Sequence, residues 1–246
     1  MLAPQDDRTA IPVELVDTAQ LPDGGELLLW RRGDDYSIRF GEDELMGNQV
    51  RHSEEALATL VCERLSQGDA RILIGGLGMG FTLGAALSSL SPAAEVVVAE
   101  LVPEIVKWAR GPLAHLFQDH LVDPRLSLEM ADVHDVIVRQ EAAFDAILLD
   151  VDNGPDGMIH LPNERLYCDW GLRAARDALR PGGILAIWSA YTDDDFVDRL
   201  GNAGFDVEEV SIPALAGDEH VIHTIWLASK GRLRSAPNDE PATSRG

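Results

Sequence analysis

The chain is poor in cysteine, in basic residues and in long apolar runs, and each shortage narrows its class. Only two cysteines occur in 246 residues, Cys62 and Cys168, far apart and with no CxxC or zinc-finger spacing. A disulfide scaffold and a cysteine-based metal site are therefore excluded, and two unpaired thiols in apolar helical patterns are expected. No stretch of about 18 apolar residues is present, so no membrane-spanning helix is expected. Met1 to Thr9 is polar and acidic and lacks the apolar segment of a signal peptide, which points to a soluble cytoplasmic protein. Lys and Arg total 20 against 42 Asp and Glu, a net charge of −22. Such a field repels phosphate backbones and anionic membranes and attracts cations, so no nucleic-acid or membrane partner is expected. GxSxG, GKS and GKT are absent, which removes the corresponding hydrolase and P-loop readings. The seven histidines are scattered without metal-ligand spacing on one helix face, and no metal is expected.

What the chain does have is glycine where a nucleotide needs it. In Arg71-Ile-Leu-Ile-Gly-Gly-Leu-Gly-Met-Gly80, Ile72 to Ile74 read as a short buried strand. Gly75, Gly76, Gly78 and Gly80 make a turn, and Phe81 to Leu90 starts an apolar helix. Strand, glycine turn and helix form the first unit of an open parallel sheet whose ligand sits over the helix N-terminus.

The rest of the chain divides around this unit. Glu26–Trp30 and Tyr36–Phe40 flank a polar turn and read as a hairpin, with a third short strand near Glu44 to Met46. Residues 1–20 carry little pattern. Residues 1–50 are thus expected to form a small antiparallel β module, 51–230 a nucleotide-binding catalytic domain, and 231–246 a polar disordered tail. Ser53 is placed as the N-cap of a helix with Glu54 and Glu55 in its first turn. Strands then alternate with helices: Glu95–Ala99, Leu126–Met130, Phe144–Leu149 and Ile184–Trp188, with a helix from about Asn163 to Leu179. The expected fold is α/β, a doubly wound, mostly parallel Rossmann-like sheet behind the small β module. The hairpin's free edge makes a homodimer an open possibility.

Ligands of such sheets bind beyond the carboxyl ends of the strands, where this chain places the glycine turn, Glu100, Asp132 and Asp150. Glu100 lies 24 residues after Gly76, the spacing of an acid that accepts ribose hydroxyls and disfavours a 2′-phosphate. Asp132 either takes an adenine amino group or simply caps the next helix. Asp150 faces the reacting end. The loop from Val151 to Pro162, with Gly154 and Gly157, is either a lid or a plain surface loop. Trp188 and Tyr191 either wall an apolar substrate or belong to core and rim.

These segments resemble the spermidine synthase-like (polyamine aminopropyltransferase) group of the class I S-adenosylmethionine-dependent methyltransferase fold. The resemblance is carried by Ile74–Gly80, Val98–Glu104, Asp123-Pro-Arg-Leu126, Ala131-Asp132, Phe144–Asp150, Ala178–Leu185 and Trp226–Lys230. It implies that Glu100 holds the ribose, Asp132 the adenine, and that Asp150 orients and deprotonates an attacking amine. Gln49, His52 and Glu55 would help close the substrate side, with Asp152 as a second carboxylate. The implied activity is aminopropyl transfer from decarboxylated S-adenosylmethionine to a small cationic amine. Methyl transfer from S-adenosylmethionine to a small molecule and non-catalytic nucleotide binding are the alternatives. Three departures stand out, one of them the loop after the catalytic aspartate, which reads Asp150-Val-Asp-Asn-Gly-Pro-Asp156 where the family usually has Asp-Ser-(Ser/Thr)-Asp-Pro. Gly78 occupies the position where aminopropyltransferases carry an aspartate for the donor's ammonium, and Ile74 replaces the acid that many methyltransferases place before the glycine turn.

Overall fold

The computed structural model describes residues 11–22, 24–65, 68–151, 154–155 and 163–231. The expected tail lies almost wholly outside the described residues. An antiparallel four-stranded sheet, order β1-β2-β3-β4, comes first: β1 (Val13–Gln20), β2 (Glu26–Arg32), β3 (Asp35–Phe40) and β4 (Asp43–Gly47). Strand β1 falls in a segment with no readable pattern. Its Val13, Glu14, Leu15 and Val16 are all exposed, so no buried alternation marks it, and pairing with β2 defines it. Asp17 ties this strand to the following domain by accepting from Lys107 Nζ at 2.7 Å and Trp108 Nε1 at 3.0 Å. These hydrogen bonds, the Lys107 one foremost, lower its pKa to about 2.

The second sheet has seven strands in the order β10-β11-β9-β8-β5-β6-β7. Its parallel part is β5 (Arg71–Gly75), β6 (Glu95–Glu100), β7 (Leu126–Met130), β8 (Phe144–Leu149) and β9 (Leu179–Ser189). Strands β10 (Asp206–Leu215) and β11 (Asp218–Ser229) complete it as an antiparallel hairpin. The helices are α1 (His52–Arg64), α2 (Phe81–Ser89), α3 (Pro103–Arg110), α4 (Ala114–Phe117), α5 (Val133–Val138), α6 (Glu164–Tyr167), α7 (Asp169–Ala178) and α8 (Asp194–Asn202). This is a doubly wound, mostly parallel sheet with a separate small antiparallel sheet. Ile72, Leu73 and Ile74 have no accessible surface, because helices cover both faces. One apolar cluster joins α1, α2 and α3 to Leu29 and Ile38 of the small sheet, and the other gathers α5, α7 and α8.

Two local expectations are corrected. The helix expected from 163 to 179 breaks at Cys168, which takes extended dihedrals (φ −76°, ψ 163°), into α6 and α7. Ser53 lies inside α1, and Arg51 occupies the N-cap without a side-chain cap bond. The Ser53 hydroxyl is drawn elsewhere: it accepts from Trp188 Nε1 at 3.0 Å and lies 2.8 Å from His223 Nδ1. Among the described residues no helix is long and apolar enough to cross a membrane.

Candidate active site

The strand order reverses at β5, which has β6 on one side and β8 on the other. The two diverging connections open a crevice at the carboxyl ends of these strands. A cavity of about 130 Å³ lies there. Gly76, Gly78, Glu100, Asp132, Asp150 and Asn163 line its polar side, while Leu27, Ile38, Phe40, Leu45 and Met46 of the small sheet form an apolar wall. The small sheet therefore closes the crevice as well as preceding it in the chain.

The glycine turn is shaped by backbone that side chains tolerate poorly. Gly76 has φ +86°, and a Cβ on it would lie 2.5 Å from the Asp150 carbonyl oxygen. Gly78 has φ +49°, and a Cβ there would lie 3.1 Å from Met46 Sδ. The thioether of Met46 thus stands where an aspartate at 78 would project. Gly75 ends β5, and Gly80, at φ +83°, is the N-cap of α2; neither lines the cavity.

Glu100 is only 6% exposed. Its Oε2 accepts from Leu77 N at 2.9 Å and its Oε1 from Val102 N at 2.7 Å. Burial raises its pKa, and hydrogen bonds from the amides of Val102, Leu77, Leu101 and Gly78 oppose the rise. The carboxylate thereby braces the glycine turn while facing the cavity. Asp132 does two jobs at once. Its Oδ1 caps α5 by accepting from His134 N at 2.8 Å, and the residue also lines the cavity. Its Oδ2 accepts from the Arg165 guanidinium. Asp132, His134 and Asp135 bring ligand-type atoms within 4.8 Å of one another. Arg165, bonded to Asp132 and 3.8 Å from Asp135, supplies that cluster with positive charge.

Asp150 follows β8 and accepts from Thr82 Oγ1 at 2.7 Å through its Oδ2. Removal from water raises its carboxyl pKa from 3.8 to about 6, against the lowering effect of the Thr82 bond. The same Thr82 hydroxyl lies 3.3 Å from the Glu54 carbonyl oxygen, which brings the first turn of α1 to Asp150. Glu54 is not among the acids that the family resemblance implies for the site. Burial, then repulsion from Asp150 and Glu55, hold its carboxyl well above the usual range. Glu55, the residue expected at the site, instead forms an i,i+4 ion pair with Arg51 at 3.4 Å. A pattern of two adjacent acids cannot tell which one turns inward; that depends on the rotation of α1 about its axis.

The other expected substrate residues are placed differently. Gln49 is exposed, and its Nε2 donates to Asp35 Oδ1 at 2.6 Å. His52 is half-buried at the start of α1, Tyr191 is 57% exposed, and none of the three lines the cavity. Asp152 and most of the loop after Asp150 lie outside the described residues. A histidine absent from the expected set does enter this region. Trp188 Nε1 can only donate, so Ser53 Oγ accepts from it, and the same hydroxyl pairs with His223 Nδ1 at 2.8 Å, with the direction set by the ring's tautomer. Burial lowers the His223 pKa and favours the neutral ring. The chain Trp188–Ser53–His223 pins the N-terminal turn of α1, and with it Glu54, to β9 and β11.

The fold is that of a class I methyltransferase-like domain, with a crevice at the switch point of its sheet. In sequence the chain is similar to polyamine aminopropyltransferases, and in fold to spermidine synthases. It is 34% identical over 133 residues to polyamine aminopropyltransferase 2 of Pseudomonas aeruginosa, covering 50% of this chain and 35% of that protein. It is 36% identical over 92 residues to the polyamine aminopropyltransferase of Nitrosomonas europaea, 37% of this chain and 27% of that one. The chain thus spans about a third of the length of these curated relatives. Spermidine synthase from Thermotoga maritima superposes with a TM-score of 0.70 at 16% identity, over 88% of this chain and 72% of the other. A probable spermidine synthase from Corynebacterium glutamicum gives 0.63 at 16% identity, over 92% and 84%. No family model matches.

Proposed function

We propose that the chain transfers an aminopropyl group from decarboxylated S-adenosylmethionine to a small cationic amine. The observation that carries this reading is Asp150, a carboxyl with pKa about 6 at the mouth of a nucleoside-type crevice, with Glu54 beside it. An alkylamine has an ordinary pKa near 10 and arrives protonated. Asp150 binds the ammonium, accepts its proton, and holds the freed lone pair toward the electrophilic carbon. The nitrogen–carbon bond forms as the carbon–sulfur bond breaks, and its electron pair passes to sulfur, which leaves as a neutral thioether. Glu100 holds the ribose diol, Asp132 the adenine amino group, and Gly76 and Gly78 let the nucleoside approach the backbone.

Glu54 is assigned to the cationic side of the substrates. Two carboxylates brought together out of water repel, and a cation between them relieves both. Glu54→Gln is expected to weaken decarboxylated S-adenosylmethionine or diamine binding about tenfold while leaving methylthioadenosine binding unchanged. Calorimetry with these three ligands checks it, and an equal loss for methylthioadenosine would remove Glu54 from this role.

A specific observation favours methyl transfer as the second reading: Gly78 backed by Met46 offers no charge to a donor's propyl ammonium. A transfer assay with both donors and 1,4-diaminobutane decides. Aminopropyl product from the decarboxylated donor supports the first reading. Turnover and tighter binding of intact S-adenosylmethionine would replace it with the second. The reaction needs no metal, and the net charge of −22 supports the reading that nucleic acid is not a partner.

A further inference from the structure

Resting on the nucleoside reading above, we propose that Arg165 is a positioning residue for base selection, acting through the Asp132 carboxylate. The group that meets a purine's six-position must be either an acceptor, for an amino group, or a donor, for a carbonyl. A carboxylate can only accept, and what it offers a base depends on how its plane is held. Asp132 is not free. Its Oδ1 takes the amide of His134 at 2.8 Å and its Oδ2 takes the Arg165 guanidinium. Each carboxylate oxygen has about two acceptor directions, so one remains on each after these bonds. The guanidinium and the His134 amide together fix the carboxylate plane, so the acceptor directions left over are aimed rather than free to turn.

The placement of Arg165 is itself constrained. It sits in the single turn of α6, next to Asn163, which lines the same cavity. Gly171 of α7 lies against its backbone so closely that a Cβ there would come within 1.9 Å of the Arg165 carbonyl oxygen. Its second arm lies 3.8 Å from Asp135, which in turn lies 3.2 Å from His134 Nδ1. The His134 ring packs on Trp170 at 5.0 Å. Among the described residues, Asp135 and Arg165 are the charged groups paired in this cluster with Asp132 and His134, one repelling Asp132 and one compensating it. Without Arg165 two neighbouring acids would face each other, and Asp132 would lose both its compensating charge and its fixed plane.

The test is calorimetry with methylthioadenosine and methylthioinosine, which differ in presenting an amino group or a carbonyl at this position. The wild type is expected to prefer the adenosine form at least about tenfold, as one charge-assisted hydrogen bond allows. Arg165→Gln is expected to weaken methylthioadenosine about tenfold and methylthioinosine hardly at all, so that the preference collapses. Arg165→Lys is expected to recover part of it. Melting temperature is expected to change little, since the Arg165 side chain is 41% exposed. Equal weakening of both nucleosides, or a preserved preference, overturns the role of Arg165. Failure of the wild type to bind either nucleoside overturns the underlying nucleoside reading, and this inference with it.

Discussion

Asp150→Asn is expected to lower the transfer rate by about 10²–10⁴-fold, the usual contribution of a positioned general base, while raising the melting temperature at pH 8. The two effects share one cause. In the fold the Asp150 carboxyl titrates at about 6, against 3.8 when unperturbed. Between those values the native state binds a proton that the unfolded chain does not. Stability from this group is therefore complete below pH 3.8 and is lost as the pH rises through 6. At pH 8 the charged carboxylate costs the ligand-free fold about 3 kcal/mol at most, and less once water in the crevice is allowed for. Asparagine keeps an acceptor for Thr82 and removes the charge. For a domain of this size each kcal/mol corresponds to roughly 2–4 °C, so a rise of a few degrees is expected at pH 8 and none near pH 4. Wild-type turnover is expected to fall as the pH drops through about 6, because the base is then protonated. Thermal scans at the two pH values, with a pH–rate profile, check the pair of effects. A variant that is less stable at pH 8, or that turns over at the wild-type rate, contradicts the assignment.

Gly76→Ala is expected to damage the fold and the site together. An alanine at φ +86° costs about 1–2 kcal/mol in backbone strain alone. Its Cβ would also lie 2.5 Å from the Asp150 carbonyl oxygen, so the ends of β5 and β8 must part. Their hydrogen bond from Asp150 N to the Gly75 carbonyl, 3.2 Å long, lies beside that contact. A total loss of about 2–4 kcal/mol is expected, with methylthioadenosine binding abolished. Gly182→Ala is the comparison. Gly182 has nearly the same φ, +79°, but no heavy atom within 4 Å of its would-be Cβ. It is expected to lose only the strain contribution and to bind as the wild type does. Chemical denaturation of the two variants separates strain from collision, and similar losses in both would show that the approach of β5 to β8 is not tight.

The parallel, doubly wound character of the sheet and the end of the strands at which its crevice opens were legible because they follow from short-range pattern. Apolar runs of three or four residues end in glycines or acids, and the alternation of strands with helices admits few topologies. Glu100, Asp132 and Asp150 could be named for the same reason: a residue that ends a parallel strand lies at the mouth of the sheet whatever else the chain does. Strand β1 could not be found this way, since an exposed edge strand carries no burial pattern and is defined by its partner. The break at Cys168 was equally silent, because the helical periodicity runs through it.

What only the tertiary structure decided are the contacts between residues distant in sequence. Glu54 rather than Glu55 faces Asp150 because α1 is rotated and pinned by Ser53 to Trp188 and His223, more than 130 residues away. Met46 stands behind Gly78 because the small sheet folds over the crevice. Arg165 reaches Asp132 across 33 residues because α7 packs against α6. The sequence by itself determined the α/β sheet and the acids at its mouth, through periodicity and local backbone preference. Which charges meet at that mouth was decided by packing, whose partners no local pattern records.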